Sequence, residues 1–178
     1  PKTGEAGVGV VSRHVAVGAI VPYAEAGAGA IATQAVVSSM YGTRGLELLR
    51  KKVSAAEVIR RLTAEDITIT ADDPKIFEYY AQEKMTEEGA DFIRDKKNNR
   101  ILWFTHRIRQ IGVVDAQGRA ATYDGPHNNP VFASMVGDGF SCQGGRLVSK
   151  EVVTAMAGAF EKARLESKTM LKSLLAAL

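Results

Sequence analysis

Small side chains fill both faces of one apolar segment, and this feature constrains the fold more than any other in the sequence. The segment runs from Ala28 to Val37 and reads AGAIATQAVV. Strands that are apolar on both faces are buried between two layers, whereas a strand with one wetted face alternates apolar and polar residues. The segment therefore predicts a sheet covered on both sides. Two apolar segments before it are also predicted: Gly7 to Ser12 as a strand, and Val15 to Val21 as an extended segment.

The rest of the chain shows a mixture of helical and extended patterns. Helices are predicted over residues 44–51 with Thr43 as cap, from a capping box at Ser54 onward, and over residues 150–178. A hairpin is predicted over residues 110–124, another strand over 139–143, and a loop over 125–136. Because hairpins rather than crossovers connect the strands, the pattern indicates an α+β fold with antiparallel sheets and segregated helices.

Length and composition indicate one globular domain. The chain has 178 residues, of which 46% are hydrophobic and 24% charged, and these values are usual for a single core. Residues from about Ala64 to Thr105 are more charged, and the pattern predicts a surface insertion with its own helix over residues 76–95. The domain is therefore predicted to cover residues 1–178, with an insertion at about 64–105.

Several classes of protein are excluded by charge and by residue type. A net charge of +3 is too small for a nucleic-acid surface. The apolar residues from Val8 to Val37 contain Arg13, His14 and Glu25, so they do not form a membrane helix. One Cys and three unclustered His predict neither a disulfide framework nor a metal site, and no cofactor is expected.

Polar side chains gather around two predicted strands that are otherwise apolar. Buried polar groups need hydrogen-bond partners, which either the protein or a ligand supplies. Arg44 lies at the start of a predicted helix, where its charge opposes the helix dipole, and a carboxylate would compensate that charge. The candidate substrate-binding residues are Ser12, Arg13, Thr33, Gln34, Ser39, Tyr41, Arg44 and Gln143. A purely structural hydrogen-bond network explains the same residues equally well.

Three other features have structural readings that we favour over the chemical ones. The motif from Gly27 to Ala32 fits a dinucleotide fingerprint, but strand-forming residues follow it, so we interpret it as a turn. Pro1 could act as a base only with a free, buried amine, and its surroundings read as a turn. Cys142 is predicted to be a buried, slowly reacting thiol rather than a nucleophile.

Several segments, taken together, resemble the domain-of-unknown-function family 1028. They read VVSR, VPYA, ATQA, YGTRGLELL, RQIGVVDA and GDGFS, at residues 10–13, 21–24, 32–35, 41–49, 109–116 and 137–141. The family is placed among the N-terminal-nucleophile hydrolase-like folds. The resemblance thus implies a layered αββα sandwich of two antiparallel sheets.

The same resemblance implies a chemistry. In such hydrolases an N-terminal Thr, Ser or Cys attacks an amide carbonyl, and its own amine acts as base. By this comparison the family's first strand, with the nucleophile, would precede Pro1, and its closing strand would follow Leu178. The catalytic residue is therefore unknown, and Thr3 is not expected to supply it.

Two functions remain open at this point. The first is a hydrolase of amide or related C–N bonds, in which Arg13 or Arg44 binds a carboxylate and Thr33, Gln34 and Gln143 orient a small-molecule substrate. The second is a non-catalytic domain that binds a small molecule or serves assembly. The protein is expected in the cytoplasm, or outside the cell if a signal peptide precedes Pro1.

Three structural expectations accompany these hypotheses. Ser12, Arg13, Thr33 and Gln34 should converge in one pocket. Unpaired sheet edges and the apolar patch at 101–104 predict a homo-oligomer, with Trp103 or Phe104 near the contact. The core is expected to contain Val8, Val10, Ile31, Ile111, Val113, Met156 and Phe160.

Overall fold

The computed structural model describes most of the chain outside the insertion. The described residues are 3–35, 37–66, 106–126, 128, 131–166 and 169–178, together with the backbone of three short strands within the insertion. The strands are β1 (Pro22–Glu25), β2 (Gly29–Ala35), β3 (Ile69–Thr70), β4 (Ile93–Asp95), β5 (Arg100–Trp103), β6 (Arg109–Asp115), β7 (Ala120–Asp124), β8 (Phe132–Gly137) and β9 (Phe140–Gly145). The helices are α1 (Ser39–Arg50), α2 (Ala55–Glu65), α3 (Glu151–Leu165) and α4 (Met170–Ala176).

The central element is an antiparallel sheet in the order β1-β2-β6-β7. In the β2–β6 ladder Ile31 lies opposite Val113, and Gln34 lies opposite Gln110. Because neighbouring residues of a strand point to opposite faces, the odd-numbered residues of β2 form one face and the even-numbered residues the other. The two faces differ in chemistry: one is mostly apolar, and the other carries the two glutamines.

The helices α1 and α2 cover the apolar face. Ile31, Ile111 and Val113 are fully buried there, and they form one cluster with Leu48, Val58 and other residues of the two helices. Ser54 begins α2 as the predicted capping box requires, since its hydroxyl accepts a hydrogen bond from the Glu57 amide.

The β8–β9 hairpin packs against the other face of the sheet. Gln143 of β9 donates from Nε2 to the carbonyl of Ala32 at 3.0 Å. The opposite side of the hairpin carries Phe140 and Cys142, which pack on Val153, Ala157 and Phe160 of α3. The order of the layers is therefore helices, sheet, hairpin, helices. The predicted α+β fold with antiparallel sheets is confirmed.

The structure confirms the predictions for strand β2, the β6–β7 hairpin and helix α2. It does not confirm those for the beginning of the chain. Residues 7–12 form no ladder with the described strands, because they lie along α4, where Gly7 and Gly9 face Leu174 and Leu178. Residues 15–21 contain a short 3-10 turn at Val17–Ala19, after Ala16 with φ 60°. The strand predicted at residues 7–12 is therefore absent, and the extended conformation predicted at residues 15–21 is wrong at the turn. Apolar composition alone does not distinguish a strand from a segment packed on a helix.

Two further predictions are corrected near the end of the chain. Residues 125–136, predicted to be a loop, contain most of β8, whose prolines lie before the strand. The single helix over 150–178 is two helices, because Thr169 begins α4 by accepting a hydrogen bond from the Lys172 amide. One continuous apolar pattern arises because both helices pack on the same cluster around Phe140.

The core prediction is confirmed in part. Ile31, Ile111, Val113 and Phe160 are buried, whereas the exposure of Val8, Val10 and Met156 is intermediate. In the insertion, Ile93–Asp95 is a strand rather than the end of a helix. The rest of the predicted helix, Phe104 and the side chain of Trp103 lie outside the described part of the structure. Within the described residues, no helix has both the length and the apolarity needed to cross a membrane.

Candidate functional site

An open cleft lies between the polar face of the sheet and the first residues of the chain. Residues 3–15 form one wall, the even-numbered residues of β2 and β6 form the floor, and β9 and α4 close the far side. Its volume is about 1870 Å³, larger than the roughly 300–1,000 Å³ of a typical small-molecule pocket. A small ligand would therefore occupy only part of it, and the polar floor marks the part with the most specific chemistry.

Two glutamines face each other across the floor of this cleft. The Nε2 atom of Gln34 donates to Oε1 of Gln110 at 2.5 Å. Gln110 is almost fully buried although it is polar. Its Nε2 atom donates to Asp124 Oδ1 at 2.7 Å and to the carbonyls of Ala133 and Gly144 at 3.1 and 3.2 Å. Hydrogen bonds from both the sheet and the β8–β9 hairpin therefore fix this pair of amides.

Asp124 is the charged group behind this pair. Its second oxygen, Oδ2, accepts a hydrogen bond from Ser134 Oγ at 2.6 Å, and the same hydroxyl lies 3.0 Å from Thr122 Oγ1. The hairpin β8–β9 therefore contributes both carbonyls and a hydroxyl to a network that begins in the cleft and ends between the layers.

Gln143 is the third amide that lines the cleft. Its Nε2 atom donates a hydrogen bond to the carbonyl of Ala32. Its Oε1 atom is buried without a hydrogen-bond partner. A Cβ atom at Gly112 would overlap this oxygen. Glycine at position 112 therefore allows the amide of Gln143 to approach the sheet.

The structure brings some of the predicted site residues together. Ser12, Arg13, Gln34 and Gln143 all line the cleft. Ser12 and Arg13 are exposed, and the Ser12 hydroxyl accepts a hydrogen bond from the backbone amide of His14 at 3.2 Å. Arg13 forms no ion pair within the described part of the chain, so its charge is available to a ligand.

Thr33 does not join them, and the predicted convergence of the four residues is wrong on this point. Thr33 precedes Gln34 in a strand, so its side chain points to the opposite face. It lies opposite Ile111 in the ladder and is fully buried on the helix side of the sheet. Polar composition identified the correct strand, whereas only the register of the strand decides which neighbour faces the cleft.

Tyr41 belongs to a different buried cluster on that helix side. Its hydroxyl donates to Asp66 Oδ2 at 2.8 Å, and Arg109 Nε lies 3.0 Å from the same oxygen. Burial and the neighbouring carboxylate of Asp66 raise the pKa of Tyr41 well above its usual range. Tyr41 is therefore a hydrogen-bond donor in a buried ion-pair cluster and does not line the cleft.

Arg44 and Ser39 also lie outside the cleft lining. Helix α1 begins at Ser39, five residues before the predicted start, so Arg44 is not at its first turn. The guanidinium of Arg44 is paired with Glu47 and Glu65 at 3.1 and 3.2 Å. The prediction that its charge needs an external anion fails because two carboxylates of the chain already compensate it.

Cys142 is buried and carries no disulfide. Burial raises the pKa of its thiol to about 11, with the carboxylate of Glu161 adding to the effect. A thiol with such a pKa is protonated at neutral pH and is a poor nucleophile. The predicted burial of Cys142 is confirmed.

The sequence reasoning missed Gln110, Asp124 and Ser134. The hairpin itself contains a signal for two of them, because Gln110 and Asp124 are direct partners in the β6–β7 ladder. Two polar residues that pair across an otherwise apolar hairpin indicate a polar spot on one face of the sheet. Ser134 offered no such signal, since its segment was predicted to be a loop.

Comparison with known proteins identifies the family but not a function. No curated protein matches the chain. The crystal structure of a DUF1028 protein from Silicibacter pomeroyi superposes with a TM-score of 0.63 at 22% sequence identity, covering 90% of this chain and 56% of that one. The chain thus spans little more than half the length of that relative, and the likeness shows the fold alone.

The family model covers the chain in two parts. It matches residues 1–73 and residues 68–178, so the division between the two matches falls at the beginning of the insertion. Together the two matches include every residue of the chain. The chain therefore belongs to the Family of unknown function (DUF1028).

Proposed function

We propose that this chain binds a small polar molecule at the amide-lined floor of the cleft. The observation that carries the proposal is the Oε1 atom of Gln143, which is buried without a hydrogen-bond partner. Leaving such an acceptor unsatisfied costs about 1–3 kcal/mol. A ligand that donates a hydrogen bond to this atom, once the Gln143 amide has turned toward the cleft, would remove that cost.

The surroundings of Gln143 support the same proposal. Gln34 lies on the same floor, and Arg13 adds a positive charge at the wall. Polar groups that are few, fixed and set among apolar residues are typical of sites that orient a small ligand. A carboxylate or phosphate on the ligand would find its counter-charge in Arg13.

Hydrolysis of an amide or related C–N bond at this cleft is the second candidate function. It is supported by side-chain amides that could orient an amide substrate and by the N-terminal-nucleophile hydrolase-like fold that the resemblance implies. Among the described residues, no Ser, Thr or Cys is hydrogen-bonded to a His or Lys side chain.

A ligand screen tests both candidates. Amino-acid amides and N-acetyl amino acids are added to the full chain, and binding is measured by calorimetry, with release of ammonia or amine followed in the same samples. We expect binding, weakened about three- to tenfold by Gln143→Ala through the loss of a hydrogen bond. Arg44→Ala, outside the cleft, should bind as the unmodified protein does. If no compound binds, the proposed function is wrong.

A further inference from the structure

We propose that the cleft binds an amphiphilic ligand, whose polar head lies on the amide-lined floor and whose linear apolar chain lies against helices α3 and α4. This inference rests on the proposed function and specifies its ligand class as N-acyl amino acids with an acyl chain longer than acetyl. It follows from the chemistry of the cleft, which is polar at the glutamines of the floor and apolar on the side formed by the helices.

The size of the cleft leaves room beyond a polar head. Its volume of about 1870 Å³ exceeds the roughly 300–1,000 Å³ of a typical small-molecule pocket. The glutamines Gln34, Gln110 and Gln143 belong to the sheet and to β9, so they mark only one side of this space. A ligand that fills more of the cleft must therefore match the chemistry of the other sides.

Helices α3 and α4 form the apolar side of the same cleft. Val152 and Met156 are four residues apart in α3, and Met170 and Leu174 repeat this spacing in α4, so each pair forms a row on its helix. All four residues line the cleft, and all four are half-buried. They are apolar surface that no described part of the chain covers completely.

The wall and the floor continue this apolar surface. Val8 and Val10 line the cleft from the wall, and they are half-buried and pack in neither of the two buried clusters of the described residues. Ala30 and Ala32 lie on the same face of β2 as Gln34 and also line the cleft. A chain attached to a head group at Gln34 would thus extend over methyl groups.

Two polar residues of the helices line the cleft as well, and neither presents an unpaired group to such a chain. The guanidinium of Arg164 donates to the carbonyl of Asp138, and the hydroxyl of Ser173 is buried rather than exposed to the cleft. Removing apolar surface from water is favourable and needs no hydrogen-bond partner. A linear hydrocarbon chain therefore suits this side, whereas a charged chain would lose its hydration there.

A homologous series of ligands tests the inference. Calorimetry on the full chain compares N-acetyl-, N-butanoyl-, N-hexanoyl- and N-octanoylglycine, which share one head group. We expect the affinity to rise about two- to fourfold for each added methylene, because each one leaves water. Equal affinities across the series, or no binding by the series when compounds of the ligand screen bind, would overturn the inference alone. No binding in either set would overturn the proposed function as well.

Variants then locate the chain. Met156→Gln and Val10→Thr keep the approximate size of the side chain and make its surface polar, so the gain per methylene should fall in each. Met135→Gln and Val148→Thr are the matched controls, because both residues lie outside the cleft lining, and they should keep the full gain. A gain that is unchanged in both cleft variants, in samples that melt cooperatively, would overturn the inference.

A second copy of this chain is the competing occupant of the apolar side. It would exclude the acyl chain, so the apparent affinity for N-octanoylglycine would fall as the protein concentration rises, while that for N-acetylglycine would stay constant. We expect both affinities to be independent of protein concentration. A fall for the longer compound alone would assign the apolar side to the second copy and overturn the inference.

Discussion

At the scale of single residues, the ion pair of Asp66 and Arg109 dominates the helix side of the sheet. The two side chains are only 4% and 2% exposed, and Tyr41 donates to the same carboxylate. The Arg109 guanidinium also lies 5.8 Å from the centre of the Tyr41 ring. Charges so far from water are costly when alone, so each of these groups depends on the others.

Removal of one partner should therefore reveal this dependence. We expect Asp66→Ala to lower the free energy of unfolding by about 3–5 kcal/mol, because the buried guanidinium of Arg109 loses the carboxylate that it contacts at 3.0 Å. Tyr41→Phe should cost about 1–2 kcal/mol, since it removes a single hydrogen bond. Urea denaturation measures both values. Glu47→Ala, in an exposed pair with Arg44, is the control and should change stability by less than about 1 kcal/mol.

The thiol of Cys142 predicts a dependence on alkaline pH. Its pKa is about 11 in the folded protein against 9.0 for a free thiol, so folding favours the protonated form. This contribution is complete below about pH 9, where both states are protonated, and it disappears as pH rises through 11, with a loss of about 3 kcal/mol.

Comparison with Cys142→Ala isolates this contribution. The difference in unfolding free energy between the unmodified protein and the variant should narrow from pH 9 to pH 11, and labelling with a thiol reagent should stay slow below pH 9. A constant difference over that range, together with rapid labelling at pH 7, would show that the thiol ionises normally.

At this scale, the sequence indicates which residues are polar more easily than it indicates the face of the sheet to which their side chains point. Gln34 and Gln143 are recognisable as polar residues in apolar strands, and both line the cleft. Thr33 has the same local composition and points the other way. The burial of Arg109 is not predictable from its own segment, because its partner Asp66 lies 43 positions away.

At the scale of elements, two glycines determine how closely α1 lies to the sheet. A Cβ atom at Gly42 would overlap the ring of Tyr23, and a Cβ atom at Gly45 would overlap Cδ1 of Ile31. Both positions are buried. Small residues at this spacing form one face of the helix, and the helix can therefore approach β1 and β2 closely.

The same substitution in two helices should thus have opposite effects. Gly45→Ala gains helix propensity of about 1 kcal/mol, but the overlap with Ile31 costs about 1–3 kcal/mol, so we expect net destabilisation. Gly158→Ala in α3 meets no atom within 4 Å and should stabilise by about 0.5–1 kcal/mol. Thermal unfolding of both variants measures the difference. An equal gain in both would mean that α1 is not held close to the sheet.

At the scale of the whole molecule, a layer could be predicted where the apolar residues of its elements recur with the spacing of a strand or a helix. Strand β2 and the β6–β7 hairpin display clear patterns, and they form the centre of the sheet. The β8–β9 hairpin was only half recognised, because β8 follows two prolines and has an irregular burial pattern. The cleft could not be predicted, since it arises from packing between segments more than 100 positions apart, such as Ala32 and Gln143.

Association of two copies remains a prediction at this scale. It rests on the sheet edges and on the apolar sequence at residues 101–104. Light scattering at micromolar concentration should give the mass of a dimer, near twice 19.1 kDa. The mass of one chain under these conditions would exclude the dimer. Trp103→Ser should shift the equilibrium toward single chains if the contact involves that residue.

The pair of Asp66 and Arg109 also has a consequence for how this chain tolerates change. Asp66 follows the last residue of α2, where the insertion begins, and Arg109 is the first residue of β6, after the insertion. The side chains of the two residues form an ion pair. The entropic cost of closing a loop grows only slowly with its length. Deletions, duplications or a grafted reporter domain at residues 71–92, which retain the buried Ile108 before β6, should therefore leave the core unchanged, and new chain ends could be opened there in a circular permutant.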